Sequence, residues 1–176
     1  NFRELRATVR AARALGLERI SFLAADVSSE AFNRPGGWDA ARASDVALAP
    51  AEIPELSAEL LALAREHAAD FASGFIAESP EKLEARLLRH FAAVAGEGDF
   101  HPVECNAPWV SSVIEADGTV RPCFFQPPLG KLTNGRSFTE ILNGPEAVAW
   151  RRGLDVERDA ICRRCVCSLS LREVAP

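Results

Sequence analysis

At 176 residues, 48% of them hydrophobic, the chain is long enough for one domain or two small ones with apolar cores. Its formal net charge of −5 lacks the basic footprint of a nucleic-acid or anionic-membrane binder, so neither is expected as a partner. No apolar run could span a bilayer and the N-terminus has no signal-peptide pattern, so a cytoplasmic protein with reduced thiols is expected. The lack of any methionine, with Asn1 in first place, points to a segment of a longer polypeptide.

Leu5, Val9, Ala12 and Leu15 recur at helical spacing over residues 4–15, with Arg6, Arg10 and Arg13 on the other side, and Gly16 is placed to end that helix. Residues 19–27, Arg-Ile-Ser-Phe-Leu-Ala-Ala-Asp-Val, form a nearly continuous apolar run and predict a strand buried on both faces. Helix, turn and strand together predict an αβ unit of a parallel sheet or barrel. Residues 28–50, with Pro35-Gly36-Gly37, read as a loop. A helix is expected over 52–70, with Ile53, Leu56, Leu60, Leu63 and His67 on one face, and an extended stretch over 71–78. Ser79-Pro80-Glu81 starts a further helix carrying Leu83, Leu87, Phe91 and Val94 inward and ending at Gly96.

Near residue 97 the character of the chain changes. Trp109–Glu115 and Thr119–Phe125 flank Ala116-Asp117-Gly118 and predict a β-hairpin. Ser137-Phe138-Thr139-Glu140 is a capping box, and after Asn143-Gly144-Pro145 a second helix runs to Arg152 and closes at Gly153. All five cysteines lie after residue 104. Four thiolates brought together make a tetrahedral sulfur site, which holds zinc or an iron–sulfur cluster. The hairpin would put Cys123 on its returning strand and Cys105 just before the outgoing one, with Cys162 and Cys165 closing the site from the tail. Zinc ribbons use two close Cys-x-x-Cys knuckles, and the 17 residues between Cys105 and Cys123 do not form one. A non-enzymatic four-cysteine zinc module is the alternative.

Cys105-Asn-Ala-Pro-Trp-Val, Ile114-Glu-Ala-Asp-Gly-Thr-Val-Arg-Pro-Cys123, Phe138-Thr-Glu-Ile-Leu-Asn-Gly-Pro145 and Cys162-Arg-Arg-Cys165 together resemble the C-terminal extension of radical S-adenosylmethionine enzymes. That extension is called SPASM, or twitch in its shorter form. The resemblance implies an α/β chain: residues 1–96 as the end of a partial TIM-like (β/α) barrel with connecting helices, then residues 97–176 as a small hairpin-plus-helix twitch-like domain. It implies one auxiliary [4Fe–4S] cluster held by Cys105, Cys123, Cys162 and Cys165, for electron transfer or substrate anchoring, since two such clusters need about seven or eight cysteines. Cys167 is a spare thiol or a substitute ligand, as His101 could be. Arg151, Arg152, Arg163 and Arg164 form a basic patch that would favour the reduced cluster, or a solvated face.

In a barrel, Asp26, Ser28 and Ser29 would lie at the mouth, on the side of S-adenosylmethionine or substrate, while Trp38 and Trp109 read as packing residues. The Cys-x3-Cys-x2-Cys motif that cleaves S-adenosylmethionine is absent, so S-adenosylmethionine and a second [4Fe–4S] cluster are expected only in the full-length protein. The implied partners are a peptide or small-molecule substrate and an electron donor such as flavodoxin or ferredoxin.

Overall fold

The computed structural model describes residues 1–27, 29–31, 34, 37–132 and 135–171. The chain divides into two compact units, Asn1–Val27 with Asp39–His101, and Ser28–Trp38 with Pro102–Pro176.

The first unit is mainly helical. Helix α1 (Leu5–Ala14) buries Leu5, Val9 and Ala12 against α3 (Ile53–Glu66), which buries Ile53, Leu56, Leu60 and Leu63. The arginines of α1 are less solvated than their periodicity implies. Arg6 bridges Glu59 at 2.9 Å and Glu66 at 2.5 Å, and Arg13 bridges Asp70 on α4 (Ala68–Ala72) while lying 3.8 Å over the Phe75 ring. Leu15, expected inward, is 76% exposed, because the helix has already ended and Gly16 at φ 69° turns the chain away. The expected helix over 52–70 is broken at His67, whose Nδ1 lies 2.8 Å from the Asp70 carboxylate.

The expected strand over 19–27 is not formed. Ile20 makes one parallel bridge with Ile76, through Ile20 N–H to Phe75 O and Ala77 N–H to Ile20 O. The ladder stops there because the buried Glu78 carboxylate accepts the next bonds, from the Ser21 hydroxyl at 2.6 Å and the Phe22 amide at 3.3 Å. With no second strand alongside, Leu23 is 50% exposed and only Ala24 of the run is buried. Among the described residues the two segments share this one bridge and no barrel is formed.

The expected loop over 28–50 contains helix α2 (Ala40–Val46), started by Asp39, which caps the Arg42 amide at 2.9 Å; the loop reading undervalued its alanines. Ser79 caps Lys82 and opens α5 (Pro80–Leu83), which passes through a π-helical stretch, Glu84–Leu88, into α6 (Arg89–Val94). Leu83, Leu87 and Phe91 are buried as expected.

The second unit has a three-stranded antiparallel sheet in the order β1 (Val113–Ile114), β2 (Thr119–Arg121), β3 (Gly130–Lys131). Val113 pairs with Arg121 and Ile114 with Val120, across a turn where Gly118 has φ 84° and Asp117 caps the Thr119 amide. The strands are shorter than the hairpin pattern implies. On one side Ala107–Val110 forms a helical turn, α7, with Pro108 near its start; on the other, Pro122 cannot donate to a ladder and ends β2. Cys123 therefore lies beyond the returning strand rather than on it. Helix α8 (Phe138–Asn143) opens with the capping box in place and sets the fully buried Ile141 beneath the sheet, and α9 (Pro145–Gly153) follows. Among the described residues, no helix is long and apolar enough to cross a membrane.

Candidate metal centre

Three segments bring the cysteines together. Cys105 precedes α7, Cys123 follows β2, and Cys162 opens a single turn of 3₁₀-helix, Cys162–Arg164, that Cys165 directly follows. All five cysteines line one cavity of about 430 Å³, whose walls are otherwise mainly apolar, with Val103, Phe124, Phe125 and Ile161 among them. Cys162 is buried, Cys105, Cys123 and Cys165 are half-buried, Cys167 is exposed, and none is in a disulfide.

The tail loop is held from within. Asp159 Oδ1 accepts the amides of Ile161 at 3.0 Å and Cys162 at 2.8 Å, and the side-chain amide of Gln126 at 2.9 Å. Burial would raise the Asp159 pKa, but these donors outweigh it and hold the carboxyl below its usual range. Gln126, 2% exposed, also donates from Nε2 to Cys162 Sγ at 3.2 Å, while its carbonyl accepts Arg121 Nη1 at 3.0 Å. The backbone amides of Phe125 and Gln126 face the Cys123 thiol, and the Cys167 amide donates to Cys165 Sγ at 3.3 Å. Beside Cys105, Asn106 ties down the end of the tail: its amide donates to Leu169 O, and its side chain exchanges two bonds with the backbone of Leu171.

Burial pushes the thiols of Cys162 and Cys165 up to about 12 and raises that of Cys123. Such thiols stay neutral unless a positive centre makes their thiolates favourable, which is what a bound metal does. The donor set therefore fits a soft, thiolate-bound group. Among the described residues, no three His, Cys, Asp or Glu side chains converge on a point that one ion could occupy.

The other expected site residues are not among those lining this cavity. Asp26 is half-buried in the first unit, where its charge acts on the buried imidazole of His90. Ser28 is outside the described residues, and Ser29 Oγ accepts the Ala31 amide in a local turn. His101 belongs to the first unit and accepts from Arg89 Nη1 at 3.2 Å. Of the basic patch, Arg151 donates to Leu142 O, Arg152 is exposed on α9, and Arg163 and Arg164 are exposed on the turn between Cys162 and Cys165. Arg34 lies over Trp38, and Trp109, expected to pack, is 47% exposed on α7.

Gln126 and Asp159 were missed by the sequence reading. Asp159 has a local signal, an Asp three residues before Cys162, as in a helix cap. Gln126 has none, because its partners are more than thirty residues away.

No curated protein and no solved structure matches the chain. Residues 105–166 match the model of the SPASM family, an iron–sulfur cluster-binding domain that occurs in radical S-adenosylmethionine enzymes.

Proposed function

We propose that the chain is the C-terminal part of a radical S-adenosylmethionine enzyme, and that its second unit holds one auxiliary [4Fe–4S] cluster on Cys105, Cys123, Cys162 and Cys165. The observation that carries the reading is that these four cysteines, all inside the SPASM match, line one cavity. A bound cluster would supply one-electron chemistry. The chain's own residues do the rest. Four thiolates complete the ligand set and leave no iron open, which favours electron transfer to or from a substrate radical over anchoring of the substrate. Gln126, with the backbone amides beside Cys123 and Cys165, directs N–H groups at the sulfurs, where they stabilise added negative charge. The cavity walls beside the thiolates are mainly apolar.

In this reading the first unit belongs to the end of the enzyme's barrel, with Asp26 on the side of S-adenosylmethionine or substrate. The second [4Fe–4S] cluster and S-adenosylmethionine itself belong to the full-length protein. The partners are a peptide or small-molecule substrate and a cytoplasmic electron donor of the flavodoxin or ferredoxin kind.

Iron, acid-labile sulfide and zinc should be measured on the chain purified without oxygen. Roughly four irons and four sulfides per chain are expected, lost in Cys123→Ala. One zinc with no sulfide would replace this reading with a structural four-cysteine module.

A further inference from the structure

Five thiols surround a cavity in which a cubane has four corners, and Cys167, expected as a spare thiol or a substitute ligand, lies one residue past the end of the SPASM match. Cys165 leaves the 3₁₀ turn with extended backbone, φ −65° and ψ 126°. The chain then bends at residues 166–167, and Cys165 and Cys167 line the cavity while Val166 does not. The Cys167 amide already donates to Cys165 Sγ at 3.3 Å.

Two of the remaining ligands are held by bonds of their own. Cys162 is fixed by Asp159 and Gln126, and Cys123 faces two backbone amides. Asn106 anchors the chain again at Leu169 and Leu171. Between the Cys162 and Leu169 anchors lies a short stretch carrying two thiols, the half-buried Cys165 and the exposed Cys167.

We propose that Cys165 and Cys167 are alternative ligands to one iron of the cluster, exchanging at the exposed edge of the cavity. In the exchange the bond from iron to Cys165 Sγ breaks and one to Cys167 Sγ forms, while the Cys167 thiol proton passes to Cys165. No electron moves and the total charge is unchanged. This corner is the one at which the ligand set can open, and Cys167 keeps the cluster in place when Cys165 lets go. The proposal rests on the iron–sulfur reading above.

Two measurements on the anaerobically purified chain test it. In the first, Cys165→Ser and Cys167→Ser are each expected to keep most of the wild-type iron and sulfide, with an altered electron paramagnetic resonance signal in Cys165→Ser. Cys165→Ser/Cys167→Ser should be as empty as Cys123→Ser. Loss of the cluster from either single variant, or a three-iron cluster in Cys165→Ser, overturns the proposal. The second needs no variant. Slow alkylation of the loaded wild-type chain with iodoacetamide, read by mass spectrometry, should give single labels divided between Cys165 and Cys167. Labelling confined to Cys167 overturns exchange. A wild-type chain with no iron and no sulfide would instead sink the iron–sulfur reading itself.

Discussion

The side-chain amide of Gln126 donates to the sulfur of Cys162 at 3.2 Å, joining the segment after β2 to the tail loop across 36 positions of sequence. Because Nε2 also donates to Asp159, the Gln126 amide is held with its hydrogens towards the site. A donor to a cluster sulfur favours the more negative, reduced state. Gln126→Leu should therefore lower the midpoint potential of the cluster. If the bond is worth ~1 kcal/mol more in the reduced state, the shift is about 40 mV for one electron. Redox titration followed by electron paramagnetic resonance checks this, and an unchanged potential would remove Gln126 from the tuning of the site.

Asp159 holds the loop that presents Cys162, with three donors on one oxygen. Asp159→Ala leaves the amides of Ile161 and Cys162 and the Gln126 side chain without their acceptor, at a cost of ~1–3 kcal/mol. Iron content after reconstitution should fall, and Asp159→Asn, which keeps an acceptor oxygen, should restore much of it. Equal losses in both variants would show that charge, rather than loop geometry, is what Asp159 contributes.

Gly144 sits between α8 and α9 with φ −63°, an angle any residue can adopt. Its requirement is space, because a Cβ there would lie 2.7 Å from the backbone carbonyl of Glu140. Gly144→Ala should force the two helices apart and cost ~1–3 kcal/mol by overpacking. Gly153→Ala, where a Cβ meets nothing within 4 Å, is the control. Thermal unfolding of the two variants separates them.

His90 is 6% exposed, lies 5.5 Å from the Phe100 ring by ring centres, and has no hydrogen-bond partner at Nε2. Burial pushes its pKa below the ordinary imidazole value, against the opposing charge of Asp26. A depressed pKa means that the unfolded chain takes up the proton first. The contribution to stability is therefore complete above about 6.5 and is lost as pH falls from there towards the lower folded value, at no more than ~1.4 kcal/mol per pH unit. Urea unfolding at pH 7.5 and 5.5 should show this loss, and His90→Phe should flatten it. A wild-type chain equally stable at both values would contradict the assignment.

The sequence by itself determined what depends on near neighbours along the chain. The helical faces at Leu56, Leu60 and Leu63, the caps at Ser79 and Ser137 and the turn at Gly118 are short-range patterns, set by periodicity, backbone sterics and local hydrogen bonds, while Cys105, Cys123, Cys162 and Cys165 were legible as a pattern of residue types spread along the chain. Tertiary structure decided what depends on distant partners. An apolar run becomes a strand only where other strands lie beside it, and at residues 19–27 Glu78 takes the bonds that a ladder would have used. Strand β3 carries no apolar pattern; it is fixed by pairing with β2, with Gly130 so close to Ile141 that an added Cβ would lie 3.1 Å from it. The shared cavity, the donor at Gln126 and the crowding at Gly144 likewise follow from packing. Burial and hydrogen-bond geometry depend on which distant segments come together, and no local window of residues contains that information.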